Sequence, residues 1–371
     1  MSKKALVILS SPKTLVDFLW YYTEHGQEYE WDVLIHKEFA LAQNHMERIG
    51  IFRNIYLDET NLLQKNRIAL AGIFAEMVFY MAIGHREKYA EKTLKKLTER
   101  KVYDLYVVAP YLFTVLPGLV YLMGKDRKVV ILEDGNSDYF PRPNRWVKTN
   151  PRNTVYFASF VLGKMGYADL TNQYDLKSYQ NCIKCSSFPE KMEYKGYKQV
   201  LKIGVFTGVN HEKHDELLKR AFLLDHYQNA AAVLYTAPIS DFTDDQDLVS
   251  KVISKTEQYV NDHCEGKTIL LKKHPRDKTE YRFDPAVSVI IVDPIIPGEL
   301  IAELLAKQGN PVSIFMYTSA MLSHLGDSNY NVLYYSDLAA LEPGKAKVPY
   351  VTNFPREVEK WAIKKDNIIT V

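Results

Sequence analysis

The chain has 371 residues, of which 47% are hydrophobic and 25% are charged, and its formal net charge is +2. This composition is typical of a globular protein with ample material for a core, and the length predicts two domains or one large one. So small a net charge gives no support for a nucleic-acid partner.

The first part of the chain alternates short apolar runs with helix-length segments. "KALVILSS" predicts a buried strand, and a helix is predicted from about Pro12, because proline suits the first turn of a helix. Further strands are predicted in "WDVLIHK", "RNIYLD", "YDLYVVAP" and "KVVILED". This alternation predicts a parallel sheet that is covered by helices.

Two helical segments lie between these strands. "IALAGIFAEMVFYMAIG", residues 68–84, approaches the roughly 18 residues of a membrane span, but Glu76 in its middle makes insertion costly. We therefore predict a buried helix or a helix on a membrane surface. "KYAEKTLKKLTERK" (88–101) predicts a charged helix with a solvated face. The N-terminus lacks the features of a signal peptide, so we expect a cytoplasmic protein, with peripheral docking on the inner membrane as an option.

The pattern weakens between about residues 140 and 195. We interpret this stretch as a lid or bridging region that leads to a domain boundary near residue 195. It contains Cys182 and Cys185, and the third cysteine is Cys264. An odd, low count favours unpaired thiols in a reducing compartment, since a zinc site would need a fourth ligand such as His263.

The alternation restarts after residue 195. Strands are predicted in "LKIGVFTGV", "AAVLYTAP", "TILLKKHP", "VSVIIVD", "PVSIFMYTS" and "YNVLYYS", and helices in "DDQDLVSKVISKTEQYVNDH" and "PGELIAELLAKQG". We predict an α/β fold of two Rossmann-like, doubly wound domains, 1–195 and 196–371, facing a central cleft. A ligand is expected in that cleft at the carboxyl ends of the strands.

The first candidate site residues are Glu133, Asp134 and Gly135, which follow an apolar strand. A carboxylate at the carboxyl end of a strand can act as a general base, and Gly135 gives the backbone room to turn. A helix N-cap or a turn explains the same three residues, and for this segment alone it is the favoured explanation.

Three further features lie in the second half. His274-Pro275 closes a strand, where a histidine can bind or protonate a phosphate, but for this pair alone a surface histidine before a loop is the favoured explanation. Glu299 falls in the first turn of a predicted helix, where it can complement the helix dipole or bind ribose hydroxyls. Thr318 and Ser319 follow a strand, where they can hold a phosphate or cap a helix.

Common catalytic motifs are missing from the sequence. It has no Walker motif, GxGxxG, HExxH or GxSxG. This argues against the commonest kinds of nucleotide-binding protein, protease and esterase. Thr207-Gly208 forms a weaker turn at another predicted strand end. The carboxylates of "TDDQD" lie at a polar helix start and predict capping rather than metal binding.

The order of these features resembles the bacterial sialyltransferases of the two-domain glycosyltransferase B type. Those families share a D/E-D/E-G motif, an HP motif and a Ser/Thr motif. Here these would be Glu133-Asp134-Gly135, His274-Pro275 and Thr318-Ser319. "LEDG" and "KKHP" look most similar to the capsular polysialyltransferase and lipooligosaccharide sialyltransferase groups. The resemblance covers nearly the whole chain in order, through motifs of two or three residues each.

The resemblance implies an inverting sialyltransferase that moves sialic acid from CMP-sialic acid to a glycan hydroxyl, with no required metal or cofactor. The N-terminal domain would bind the acceptor and the C-terminal domain the CMP-sugar. Glu133 is the first choice for the base that deprotonates the acceptor, and Asp134 is the second. His274 would bind or protonate the departing CMP phosphate.

The resemblance also implies the residues that bind the two substrates. Donor-binding residues would be Gly135, Thr207, Gly208, Lys273, Pro275, Glu299, Thr318 and Ser319. Within this set Thr318 and Ser319 would hold the phosphate, and Glu299 the ribose. Acceptor-binding residues would be Ser10, Ser11, Arg142 and Arg145. The basic cluster at 142–152 is short for an enzyme that tracks a polyanion, which favours single or short transfers to a lipooligosaccharide or capsule acceptor.

Three alternatives stay open. The donor can be another CMP-activated acidic sugar, or it can be a UDP- or GDP-sugar used by an inverting glycosyltransferase of the same fold. A non-catalytic sugar-binding protein is the third alternative. Such a protein would not need both Glu133 and His274 in one cleft.

Overall fold

The structure is a computed structural model, and it describes more of the second half of the chain than of the first. The described residues are 2–9, 11–36, 43–58, 72, 75–76, 79–80, 82–99, 102–109, 127–133, 181–192, 197–204, 210–227, 229–306, 312–316, 329–341, 363 and 365–371. The chain divides into two compact units, Met1–Phe222 and Leu223–Val371.

The first unit is built on a seven-stranded parallel sheet. Its strands are β1 (Lys3–Leu9), β2 (Tyr29–His36), β3 (Phe52–Asp58), β4 (Leu105–Val108), β5 (Lys128–Ile131), β6 (Ile183–Ser186) and β7 (Gln199–Lys202). They lie in the order β3-β2-β1-β4-β5-β6-β7, and every neighbouring pair is parallel. The strand order therefore reverses between β1 and β4, which is the position where doubly wound sheets open a crevice.

Four helices of the first unit are described: α1 (Pro12–Tyr21), α2 (Gln43–Ile49), α3 (Arg86–Leu97) and α4 (His211–Phe222). The start predicted for α1 at Pro12 is confirmed. Ser11 caps this helix, since its side chain accepts a hydrogen bond from the Thr14 N–H, and the Thr14 hydroxyl accepts one from the Ser11 N–H. This reciprocal pair satisfies two backbone donors at the carboxyl end of β1.

The second unit is built on a six-stranded parallel sheet. Its strands are β8 (Ala232–Tyr235), β9 (Thr268–Lys272), β10 (Ser288–Ile291), β11 (Val312–Phe315), β12 (Tyr330–Tyr334) and β13 (Ile368–Thr370). Their order is β10-β9-β8-β11-β12-β13, the Rossmann arrangement, with the reversal between β8 and β11. The described helices of this unit are α5 (Gln246–Cys264), α6 (Gly298–Ala306) and α7 (Ser336–Ala339).

The central strands are buried along their length. Every residue of β4 is buried, as are the last five residues of β1 and the last three of β5. Strands with helices on both faces of their sheet need such continuous apolar runs, and this explains why "ALVIL" and "LYVV" were recognisable in the sequence. The prediction of an α/β fold with two Rossmann-like domains is confirmed.

The organisation around residue 195 differs in detail from the prediction. The strand predicted in "LKIGVFTGV" begins at Gln199 and pairs with β6, so it is the last strand of the first sheet. The predicted boundary after residue 195 thus lies between β6 and β7, whereas the compact unit extends to Phe222. The strand β6 was not predicted, because Lys184 and Ser186 interrupt its apolar pattern although both are buried.

No helix in the described part of the chain is both long and apolar enough to cross a membrane.

A buried polar cluster ties three elements of the first unit together. Asp32 in β2 is 5% exposed, and its carboxylate accepts hydrogen bonds from Asn54 Nδ2 at 2.6 Å and from the Tyr103 hydroxyl at 2.8 Å. The hydroxyl of Tyr21 in α1 is also buried, but it has no hydrogen-bond partner within the described structure. The two tyrosines therefore form a matched pair for measuring what a buried hydroxyl contributes.

We expect Tyr103→Phe to lower the free energy of unfolding by about 1–3 kcal/mol, since it removes a donor from a buried carboxylate. Tyr21→Phe is the control, and we expect no loss or a small gain, because its hydroxyl is buried without compensation. Urea unfolding of both variants measures the difference. Equal losses in the two variants would contradict this account of the core.

Candidate functional site

The polar groups at the carboxyl edge of the second sheet are the best-defined candidate site. In open α/β sheets, ligands bind outside the carboxyl ends of the strands where the strand order reverses. Thr236 directly follows β8, Met316 directly follows β11, and His274 comes two residues after β9. These residues therefore lie at the place where such a sheet receives its ligand.

The hydroxyl of Thr236 fixes the backbone at His274. It accepts a hydrogen bond from the His274 N–H at 3.2 Å and donates one to Asp277 Oδ2. Thr236 is buried and its own N–H is bonded to the Lys272 carbonyl. The hydroxyl thus links the end of β8 to the loop after β9.

Asp277 is the acceptor on which this loop is organised. It is buried, and its carboxylate accepts hydrogen bonds from the Thr236 hydroxyl, from the Thr279 N–H at 3.0 Å and from the Tyr281 hydroxyl at 3.1 Å. The Asp277 N–H also donates to the His274 carbonyl at 2.8 Å, which closes a turn. A buried carboxylate with three donors holds a loop in one conformation.

Tyr281 extends the network towards β11. Its oxygen lies 3.5 Å from Met316 Sδ as well as within hydrogen-bond distance of Asp277. Burial, followed by the charge of Asp277, raises the pKa of the Tyr281 phenol, so it stays protonated and donates. The loop after β9 is thereby joined to both strands that flank the reversal.

The ring of His274 has a defined tautomer. The Arg276 N–H donates to His274 Nδ1 at 3.2 Å, so Nδ1 is an acceptor and the proton of the neutral ring is on Nε2. Burial, with further contributions from the charges of Arg276 and Lys272, lowers the pKa of His274 to about 4. At neutral pH the side chain is therefore an uncharged imidazole with an N–H donor at Nε2.

The two lysines at this loop donate hydrogen bonds to backbone carbonyls. Lys272 donates to the carbonyls of Lys273 and Pro294, and Lys273 Nζ donates to the Thr279 carbonyl at 2.7 Å. Lys273 was predicted to bind the donor, and in this structure its ammonium group supports the loop. Pro275, the other predicted donor contact of the loop, is exposed.

Glu133 lies at the carboxyl edge of the first sheet, two residues after β5. Only 3% of it is exposed. Its Oε2 accepts a hydrogen bond from the Ser187 N–H, and its Oε1 lies 3.8 Å from Lys13 Nζ. These two contacts hold the Glu133 carboxylate in place.

The surroundings of Glu133 form a buried charged cluster. Lys13 Nζ also binds Asp17 Oδ1 at 2.6 Å, so one ammonium group lies between two carboxylates. Lys184 is fully buried and donates to the Leu132 carbonyl at 2.9 Å. The first turn of α1 and the end of β6 thus hold Glu133 in place from two sides.

The structure positions few of the remaining predicted site residues. Glu299 is the second residue of α6, in the first turn as predicted. The Ser11 side chain caps α1, and binding of an acceptor there stays a prediction. Ser10, Asp134, Gly135, Arg142, Arg145, Thr207, Gly208, Thr318 and Ser319 lie outside the described residues.

The cysteines and acidic groups show no metal-binding arrangement in the described ranges. No cluster of three or more His, Cys, Asp or Glu residues there could hold a metal ion. Cys182, Cys185 and Cys264 are buried, and burial raises the pKa of each thiol.

Sequence reasoning missed the residues that hold the candidate groups in place. Thr236 was visible only as the polar residue that follows "AAVLY", and Asp277 as a carboxylate three residues after His274. Lys13 was the basic residue next to the proline that starts α1. A polar residue just after a buried strand was the available signal, but it did not identify the partners.

Comparisons with known proteins identify the fold and no family. No protein-family model matches the chain, and no curated protein matches it. Among solved structures, UDP-GlcNAc 2-epimerase from Methanocaldococcus jannaschii is similar, with a TM-score of 0.51 and 10% identity over 99% of this chain and 88% of that one. Two others are S. aureus MnaA in a UDP co-structure and the glycotransferase of kitacinnamycin. MnaA has a TM-score of 0.48 and 11% identity, over 96% of this chain and 88% of that one. The kitacinnamycin glycotransferase has a TM-score of 0.48 and 10% identity, over 100% of this chain and 86% of that one.

We expect the ¹⁵N NMR signals of His274 at neutral pH to show a protonated Nε2 and an unprotonated Nδ1, with titration near pH 4 rather than 6.5. The unfolded state then binds more protons than the folded state between these values, so His274 makes stability rise with pH across that window and adds no slope above it.

Replacing the ring in His274→Gln removes this contribution, so the variant should have a flatter pH dependence of stability between about pH 4 and 6.5. His226→Gln, an exposed histidine of the same unit, is the control and should keep the wild-type profile. A His274 signal that titrates above pH 6.5, or a proton on Nδ1, would contradict the assignment.

Proposed function

We propose that this chain is a glycosyltransferase that uses a nucleotide sugar, and more narrowly an inverting sialyltransferase. It would transfer sialic acid from CMP-sialic acid to a hydroxyl of a glycan acceptor, such as a lipooligosaccharide or a capsular polysaccharide. The observation that carries the proposal is His274, an imidazole with Nε2–H fixed at the carboxyl edge of a Rossmann-like sheet.

A donor with a single phosphate suits this histidine. During transfer, the bond between the anomeric carbon and the phosphate oxygen breaks, and its electron pair passes to the phosphate. The Nε2–H of His274 can donate a hydrogen bond to the oxygen on which this charge develops. A bound phosphate also favours the protonated ring, so the same group can pass its proton to the departing CMP.

The acceptor hydroxyl needs a base, and the proposal gives this role to Glu133 first and to Asp134 second. The new bond forms from the acceptor oxygen to the anomeric carbon, and the hydroxyl proton passes to the carboxylate. Loss of a general base costs on the order of 10²–10⁴-fold in rate. Only 3% of Glu133 is exposed, so whether it or Asp134 takes the proton needs a direct test. Comparison of variants of the two carboxylates provides that test.

The remaining assignments complete the proposal. Thr318 and Ser319 would hold the phosphate, and Glu299 the ribose. Further donor contacts would come from Gly135, Thr207, Gly208, Lys273 and Pro275, and acceptor contacts from Ser10, Ser11, Arg142 and Arg145. The chemistry needs a base, phosphate stabilisation and a dry cleft, with no metal ion or cofactor. We place the enzyme in the cytoplasm, peripherally on the inner membrane.

A second candidate is an enzyme that acts on a UDP-sugar. The observation in its favour is that the solved structure with a TM-score of 0.51 is a UDP-GlcNAc 2-epimerase. This candidate keeps the fold and the nucleotide site and changes the donor. It is separated from the first by the identity of the nucleotide that binds.

We expect CMP and CMP-sialic acid to raise the melting temperature of the protein, since a ligand that binds only the folded state stabilises it. UDP, GDP and their sugars should have little effect at the same concentrations. Thermal unfolding with the whole panel, together with an assay of hydrolysis of each nucleotide sugar, measures this. Stabilisation by UDP-compounds alone would reject the sialyltransferase and support the second candidate, whereas stabilisation by GDP-compounds alone would reject both.

For the catalytic groups, we expect Glu133→Gln and His274→Ala to fold and to lose transfer from CMP-sialic acid by about 10²-fold or more. His226→Ala is the control and should keep wild-type transfer. If Glu133→Gln is active and Asp134→Asn is inactive, Asp134 is the base. Wild-type transfer by Glu133→Gln, Asp134→Asn and His274→Ala would refute the site.

A further inference from the structure

The outer face of α3 carries a group of lysines that the proposed reaction does not use. Lys88, Lys92, Lys95 and Lys96, together with Glu91, line a surface groove of about 460 Å³. We refer to these four lysines as the lysine face. The opposite side of the helix packs inward, since Tyr89, Ala90 and Leu94 are buried.

An exposed apolar pair adjoins the lysine face. Phe79 is 59% exposed and Ile83 is 46% exposed. They are four residues apart, and the Ile83 N–H donates to the Phe79 carbonyl at 3.1 Å, so both side chains lie on one side of a helical turn. This turn belongs to the apolar segment 68–84, and Gly84 follows it with a φ of 71°, two residues before α3 begins at Arg86.

Direct contacts join the apolar turn to α3. Lys92 Nζ binds Glu76 Oε1 at 2.9 Å and lies 5.6 Å from the centre of the Tyr80 ring. The rings of Tyr80 and Tyr89 are 5.4 Å apart. The exposed apolar pair and the lysine face are therefore parts of one surface.

The charges of this surface are available to a partner. Lys92 pairs with Glu76 and Lys95 pairs with Glu91, and both pairs are exposed to solvent. Exposed ion pairs contribute little to stability, so these lysines can exchange their partners for other anions. Within the described structure, Lys88 and Lys96 make no ion pair.

We propose that Phe79, Ile83 and the lysine face form a docking surface for an anionic lipid bilayer. The two apolar side chains would enter the boundary between headgroups and acyl chains, and the lysines would bind lipid phosphates with their alkyl stems along the surface. The inference rests on the peripheral membrane location proposed above and names the surface and the lipid partner, but it requires no catalytic residue and no donor.

A second copy of the chain fits this surface less well. Stable protein interfaces bury roughly 1,200–2,000 Å² and are depleted in lysine. Here the surface carries four lysines and two exposed apolar side chains. An apolar stripe beside a lysine-rich face is the pattern of helices that lie in a membrane interface.

Co-sedimentation with vesicles tests the proposal. The protein should bind vesicles of phosphatidylcholine and phosphatidylglycerol in roughly equal amounts, bind phosphatidylcholine vesicles much less, and lose part of its binding in high salt. The double variant Lys88→Glu, Lys96→Glu should bind the anionic vesicles at least about tenfold more weakly. The double variant Phe79→Ser, Ile83→Ser should also bind more weakly.

The control Lys219→Glu, Lys251→Glu has the same change in net charge on α4 and α5, and it should bind like wild type. Failure of wild type to bind, or equal loss in the control, would overturn the proposal. So would a wild-type dimer that Phe79→Ser, Ile83→Ser converts to a monomer. Transfer to a soluble acceptor should be unchanged in all three variants, so a failure of the docking surface is distinguishable from a failure of the proposed reaction.

Discussion

The carboxylate of Asp277 is the interaction on which the candidate site of the second unit depends. It accepts from Thr236, Thr279 and Tyr281, which brings the ends of β8 and β9 and the region after β11 into one network. The position of His274 follows from this network, because its N–H is held by the same Thr236 hydroxyl. Without this buried acceptor, the donors of Thr236, Thr279 and Tyr281 would lose their partner at a cost of about 1–3 kcal/mol each.

In the first unit, the buried carboxylate of Glu133 is stabilised by a charged group as well as by a neutral N–H donor. Lys13 is placed by the first turn of α1 and faces the carboxylates of Asp17 and Glu133. Burial of an unpaired carboxylate is costly, so Glu133 depends on this ammonium group and on the Ser187 N–H. In both units, then, the polar group of interest follows a buried strand and is held by partners that are distant in sequence.

The separation of these partners along the sequence explains which features could be predicted from the sequence and which could not. Most strands of both sheets were recognisable, because buried parallel strands are continuous apolar runs. The strand β6 was missed because its buried Lys184 is satisfied by the Leu132 carbonyl, 52 residues earlier. The bond from Thr236 to Asp277 spans 41 residues and the bond from Ser187 to Glu133 spans 54. The motif residues stay predictions, and the contacts that hold His274 and Glu133 come from residues distant in the chain, which the sequence does not show.

The central claim is that His274 contacts the phosphate of a bound nucleotide. It is tested most directly by ¹⁵N NMR of the histidine rings during titration with CMP, with cytidine as the ligand that lacks the phosphate. We predict that CMP shifts the Nε2 signal of His274 and raises the pKa of the ring above about 4, and that cytidine does neither. Saturable binding of CMP that leaves the His274 signals unchanged would contradict the account.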